Sequence, residues 1–166
     1  MATATYDLIA SQTLGSAASS ITFSSIAASW TDLRLILTGQ GTSTINVLLT
    51  FNGDTGSNYS DTYLQGNGTA VIGGRSPLSY QSIYLTEEIS WSGTVPTNLI
   101  CDIFSYAGST YKTSLSAVSG DYNGSGFSTR FVGLWMSTSA ITSITITAAP
   151  NWASGTTAQL YGIKSA

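Results

Sequence analysis

The sequence predicts an all-β chain, a single-domain antiparallel β-sandwich of jelly-roll-like kind spanning residues 1–166, and three observations carry that expectation. Apolar residues recur at every second position in short runs, which is the periodicity of a strand with one buried face. Seventeen Gly against three Pro punctuate those runs with turn-forming residues. Thr, Tyr, Ile and Val fill the runs, and no segment shows the spacing of an amphipathic helix. At 166 residues and 42% hydrophobic, the chain has the size of one domain that buries roughly 70% of its unfolded surface.

Taken in order, Thr5 to Ile9 opens the series, and Ser20 to Ser24 sets Ile21 and Phe23 on one face. Asp32 to Thr38 alternates Leu33, Leu35 and Leu37 against Asp32, Arg34 and Ile36. The next run sets Ile45, Val47, Leu49 and Phe51 against Asn46, Leu48 and Thr50, so both read as strands half-buried against a core. Further strands are expected at Tyr80 to Glu87, Asn98 to Ser105, Tyr111 to Ser119, Thr129 to Met136, Ser143 to Thr147 and Ala158 to Ile163. Turn signals separate them at Gly39 to Gly41, Asn52 to Asp54, Gly66 to Gly68, Gly73 to Gly74, Ala107 to Ser109, Gly120 to Gly124 and Ser154 to Gly155. Asn52 to Ser79, rich in Gly, Ser, Asn and Thr, is long for a connection in a compact domain. It reads as a functional or locally disordered loop, or as one hiding a short hairpin around Tyr63 and Leu64. Ten short strands about a dozen residues apart favour a sandwich over a barrel.

Only 8% of residues are charged, five Lys and Arg against eight Asp and Glu, for a net charge of -3. An ordinary globular protein carries about 25%. Five scattered cations make no basic stripe, so a nucleic-acid partner held by phosphate neutralisation is excluded. The chain has no His, which removes the usual general base, the commonest metal ligand and every imidazole-based triad. A non-enzymatic protein without a cofactor is the expectation. Cys101, the single cysteine, lies inside the apolar run Leu99 to Phe104 and reads as a buried thiol. The first residues carry no basic group and no apolar h-region, so synthesis in a cytoplasm without a signal peptide is expected. No run approaches the roughly 20 apolar residues that span a bilayer, so no membrane insertion is expected.

Several residue groups invite a chemical reading. Glu87 and Glu88 are adjacent carboxylates, but neighbours on a strand face opposite ways and cannot converge on one glycosidic bond. Asn52, Asp54, Asn58 and Asp61 offer oxygen ligands in one loop, yet the carboxylate pattern of an EF-hand is missing, and turn formation explains them. The sequons at Asn58, Asn67 and Asn123 arise easily in so Ser- and Thr-rich a chain. Tyr59, Tyr63, Trp91, Tyr122 and Trp152 stand beside Gly-, Ser- and Asn-rich turns and are the candidates for stacking on a cell-surface glycan or anchoring an interface. Trp135, within Phe131 to Met136, is assigned to a core or an interface. The uncharged surface itself fits a protein packed among others, where hydroxyls avoid like-charge repulsion and the desolvation of buried ions. A carbohydrate-binding module has much the same composition.

The opening YDLIASQTLG of Tyr6 to Gly15, followed by ITFSSI of Ile21 to Ile26 and WTDLRL of Trp30 to Leu35, resembles the opening of small bacteriophage virion proteins of the tail-fibre and capsid-decoration type. LTFNGDTGSNYS of Leu49 to Ser60 is similar to their middle motif, and Ser139 to Ile146 and Gly155 to Ile163 look like their closing strands. The likeness covers both ends and the segment to about Ser60, and Asn67 to Arg130 carries little of it. It implies a β-sandwich at a virion surface that self-associates, a trimer suiting local threefold positions, and binds other virion proteins of capsid or fibre. It fixes no catalytic or ligand residue. The rival expectation is a lectin-like host-attachment module, and a polysaccharide hydrolase stands last because no acid and base pair is identifiable.

Overall fold

The computed structural model describes residues 5–43, 45–80, 82–85 and 95–164. Among them are twelve strands: β1 (Tyr6–Thr13), β2 (Ala18–Phe23), β3 (Asp32–Gly39), β4 (Asn46–Phe51), β5 (Tyr59–Gly66), β6 (Val71–Tyr80), β7 (Ile83–Tyr84), β8 (Thr97–Phe104), β9 (Lys112–Asp121), β10 (Gly126–Trp135), β11 (Ile144–Trp152) and β12 (Thr157–Ile163). They pair antiparallel in an eight-stranded sheet ordered β1-β12-β3-β8-β9-β10-β5-β6 and a four-stranded sheet ordered β2-β11-β4-β7, and the two sheets pack as a sandwich.

The alternation read from the sequence is the cause of this packing. Leu33, Leu35 and Leu37 of β3 and Leu99, Cys101 and Ile103 of β8 are fully buried from one sheet. From the other come Ile21 and Phe23 of β2, Val47, Leu49 and Phe51 of β4, and Ile144 and Ile146 of β11, all within one hydrophobic cluster. Each such side chain contributes roughly 1.5–3 kcal/mol through burial. The intervening residues face outward, as the period of two requires. Cys101 is buried as expected, and burial pushes its thiol up to about 12.

Strand order reveals a regular frame with two additions. With β5, β6, β9 and β10 set aside, the remaining eight strands, counted along the chain, stand in the orders 1-8-3-6 and 2-7-4-5. The four others form the hairpins β5–β6 and β9–β10, which pair with each other through β10 and β5 and with the frame through β8 and β9. They widen the first sheet to twice the second.

Two sequence expectations need adjustment. Asn52 to Ser79 contains the β5–β6 hairpin around Tyr63 and Leu64, but its strands are 8 and 10 residues long, not short. The inward positions of β5 are Tyr59, Asp61, Tyr63 and Gln65, of which two are polar, so strand alternation is present without an alternation of hydrophobicity. Of the strand expected at Tyr80 to Glu87, Ile83–Tyr84 pairs with β4, while Glu87 and Glu88 lie outside the described residues.

One cation belongs to the interior. Lys112, at the head of β9, is 1% exposed, and its Nζ donates to the carbonyl oxygens of Gly108, Thr110 and Ser137. Three acceptors satisfy the three ammonium protons and tie the β8–β9 loop to the segment after β10. Burial still draws its pKa below the usual lysine value.

Candidate functional site

Two surface features stand out, both on the widened sheet. The first is a groove of about 700 Å³ at the end where the two hairpin turns meet the start of β8. One wall is the β5–β6 turn. Asn67 Oδ1 accepts from the backbone N–H of Thr69 and Ala70 at 3.0 and 2.8 Å and from the Thr69 hydroxyl at 2.9 Å, and Gly68 takes φ +87. An Asn side chain that caps its own turn in this way holds the loop without help from the core. The second wall is the β9–β10 turn, where Asn123 and Gly124 adopt φ 58 and 103 between Tyr122 and Ser125, whose N–H and carbonyl bond at 2.8 Å. Positive φ at both central residues matches strand twist, and Asn-Gly is the pair that accepts it at least cost. Asp121 Oδ1 receives the Asn123 N–H at 2.9 Å.

The floor is set by register. Asn98 of β8 stands opposite Ser119 of β9, Ser119 opposite Ser128 of β10, and Ser128 opposite Gly66 of β5. Asn98 Oδ1 accepts from the Thr38 hydroxyl at 3.0 Å, a bond that leaves its amide nitrogen unused. Phe127 lines the groove and packs edge-on against Tyr122 with ring centroids 5.9 Å apart. The Tyr122 hydroxyl and Thr97 Oγ1 share a hydrogen bond of 3.0 Å, which ties the β9–β10 turn to β8. Asp121 is the one charged residue of the lining among the described residues.

The second feature is the outer face of the same sheet. Moving from the groove toward the sheet centre, the polar row gives way to Ile36, Ile100, Ala117, Arg130 and Leu64 across β3, β8, β9, β10 and β5. The next row holds Arg34, Asp102, Leu115, Val132 and Thr62. Leu64 is 59% exposed, Val132 49% and Ile100 41%, with Leu115 and Phe104 also open to solvent. Arg34 and Asp102 close one side of this patch with a two-pronged pair, Nε to Oδ1 at 2.6 Å and Nη2 to Oδ2 at 2.8 Å. The guanidinium also donates to the Tyr6 hydroxyl at 3.0 Å and lies 5.4 Å from that ring's centroid. The pair raises the Arg34 pKa above its ordinary value.

The four aromatic candidates among the described residues, Tyr59, Tyr63, Tyr122 and Trp152, do not converge. Tyr59 and Trp152 are fully buried, which corrects the expectation that they stand ready to stack on a ligand. Each is a strand residue next to a polar turn whose side chain faces the core, so its sequence neighbourhood misleads. Tyr59 stacks on Trp135 with centroids 6.3 Å apart; its hydroxyl receives the Phe51 N–H and donates to the Asp54 carbonyl, both at 3.1 Å. Burial pushes its pKa up to about 12. Tyr63 is half-buried, packed on Phe131 with Gly74 against its ring. Trp91 lies outside the described residues. Of the described candidates, Tyr122 alone stands at the groove, behind Phe127. Trp135 is in the core, one of the two positions assigned to it.

The Asn52 to Asp61 loop is a hydrogen-bonded turn. The Asp54 carboxylate receives Trp135 Nε1–H at 2.7 Å, the Gly56 N–H at 2.8 Å and the Asn58 amide at 3.0 Å. Those donors, the indole foremost, hold its pKa below the usual carboxylate value. Asn52 Oδ1 in turn accepts the N–H groups of Thr142 and Ser143.

Groove residues escaped the sequence reading because they come from three separate segments. The turn signals at Gly66 to Gly68 and Gly120 to Gly124 were visible, whereas the β10–β5 pairing that brings them side by side was not. Comparison with known protein families, with curated proteins and with solved structures gives no match.

Proposed function

We propose that this chain is a non-enzymatic structural protein of a bacteriophage particle, a capsid decoration protein or small fibre component that docks on neighbouring virion subunits. The observation that carries the reading is the exposed apolar patch of Ile100, Leu115, Val132 and Leu64 across four adjacent strands. Contiguous apolar surface of this kind marks an interaction face. Two further features support it. We read the order of the eight-strand frame as that of a jelly roll, a fold of viral capsid and lectin domains. A chain with only 8% charged residues suits close packing against like neighbours. Self-association to a trimer on the particle surface is the favoured arrangement.

The test is solution mass by light scattering after size exclusion, on the parent chain and on Leu115→Lys and Val132→Lys, together with protein identification in purified particles. A trimer that the Lys variants break into folded monomers supports the reading. A monomeric parent that is missing from particles overturns it. A second reading, a carbohydrate-binding attachment module, is favoured by the groove and no longer by Tyr59 and Trp152, whose side chains are buried.

A further inference from the structure

The groove between the hairpin turns and β8 is, we infer, a binding site for a neutral oligosaccharide, an inference that deepens the carbohydrate reading and stands apart from the assembly reading. Its chemistry narrows the ligand class. Among the described residues no Lys or Arg lines it and Asp121 is the one carboxylate, so phosphates, sulfates and acidic sugars meet repulsion there. Among the described residues, Pro96 and Phe127 are its two bulky apolar members, and Phe127 belongs to the inner face of the sheet. The remaining side chains are amides and hydroxyls, with glycine backbone between them. A pyranose ring presents the complement, a rim of hydroxyls that both donate and accept.

Specific roles follow from the geometry. Asn98 offers the amide nitrogen that its bond to Thr38 leaves unused, and Ser119 and Ser128 continue the same row with hydroxyls that both donate and accept. Asp121 uses Oδ1 for the Asn123 N–H, and Oδ2 is the acceptor for a sugar hydroxyl. Phe127 alternates with the outward Ser128 and packs on Tyr122 and the core from the inner side of the sheet, so it backs the groove and does not share a face with the polar row. A volume of about 700 Å³ lies within the range of small-molecule sites, roughly 300–1,000 Å³. Both turns and the Tyr122 to Thr97 bond hold the walls before any ligand arrives, so little ordering entropy is lost on binding.

Titration calorimetry and saturation-transfer NMR of the whole chain against short linear gluco-, manno-, galacto- and N-acetylglucosamine oligomers, with sulfated and sialylated oligomers beside them, test the inference. At least one neutral oligomer is expected to bind. Asn98→Ala should weaken it by about tenfold, the loss of one good hydrogen bond, and Ser119→Arg, at an exposed strand position, should abolish it while circular dichroism stays unchanged. Binding that both variants leave intact places the sugar elsewhere and overturns the groove but not the carbohydrate reading. Absence of binding by every oligomer overturns both, and preference for the anionic oligomers overturns the ligand class.

Discussion

Replacing Asp54 by Ala tests whether the loop between β4 and β5 is held from below by the core. In the native chain the Asp54 carboxylate is the acceptor for the indole N–H of Trp135, a residue only 2% exposed and packed against Phe51 at 5.5 Å and Tyr59 at 6.3 Å. Ala leaves that N–H without its acceptor inside an aromatic cluster, a cost of about 1–3 kcal/mol. The bonds from Gly56 and Asn58 are lost as well, but water reaches that side of the loop and replaces them for about 0.5–1 kcal/mol each. The sum is about 3 kcal/mol. For a chain of this size each kcal/mol moves the melting temperature by about 2–4 °C, so a fall of about 6–12 °C is expected, read by far-UV circular dichroism. The cycle with Trp135→Phe isolates the cause: with no indole N–H to orphan, Asp54→Ala should cost about 1–2 kcal/mol less. Acid provides a second arm. Because folding lowers the carboxyl's pKa from 3.8, its contribution is complete above that value and disappears as pH falls through the lower folded value. Parent and variant stabilities should therefore converge in acid. A melting temperature within about 2 °C of the parent at neutral pH, or no coupling in the cycle, refutes the argument.

Three further outcomes follow from the interior. Lys112→Met removes the donor for three loop carbonyls and should cost about 3 kcal/mol in urea unfolding, with the β8–β9 loop becoming the first site of proteolysis. Gly162→Ala places a methyl group inside the Trp30 ring, which is tethered to Asp7 by an indole hydrogen bond of 3.0 Å, and overpacking should lower stability by about 1–3 kcal/mol. Cys101, buried and held as a thiol, should react with a disulfide reagent at pH 8 only at the rate of unfolding, and rapid labelling of the native chain would contradict its placement.

The frame was legible in the sequence where one sheet face is apolar and the other polar. β3, β4 and β8 announce themselves by Leu, Val, Ile and Phe at alternate positions, because their inner faces meet the opposite sheet directly. The β5–β6 hairpin did not, since Asp61, Gln65 and Ser76 occupy inward, buried positions there and the polarity signal vanishes while the geometry persists. Tyr59 and Trp152 show the converse difficulty. A residue at the very end of a strand shares its neighbours with the turn but its side-chain direction with the strand, and only the pleat decides which prevails. The groove depends on long-range register between β10 and β5, a quantity that turn signals do not encode.

Register also separates the two surfaces of the widened sheet. If its outer face met only water, each row should resemble Asn98, Ser119 and Ser128, where every strand contributes a small polar side chain. Two residues further along the same strands, β8 carries Ile100 and β9 carries Ala117; two more, and β9 and β10 carry Leu115 and Val132. The change occurs within one face of one sheet, so it reflects neither strand propensity nor distance from the core. A partner covering the rows that hold Ile100, Leu115 and Val132, with Arg130 among them, and stopping short of the polar row accounts for it and leaves the groove open while the face is occupied. The two sites should then fail independently. Leu115→Lys should dissolve the oligomer and leave oligosaccharide binding within about twofold of the parent, while Ser119→Arg should abolish binding and leave the mass unchanged, a separation of the kind expected for sites without shared partners. Loss of both properties in either variant would mean that the groove is completed by the neighbouring subunit, and that the outer face is one surface and not two.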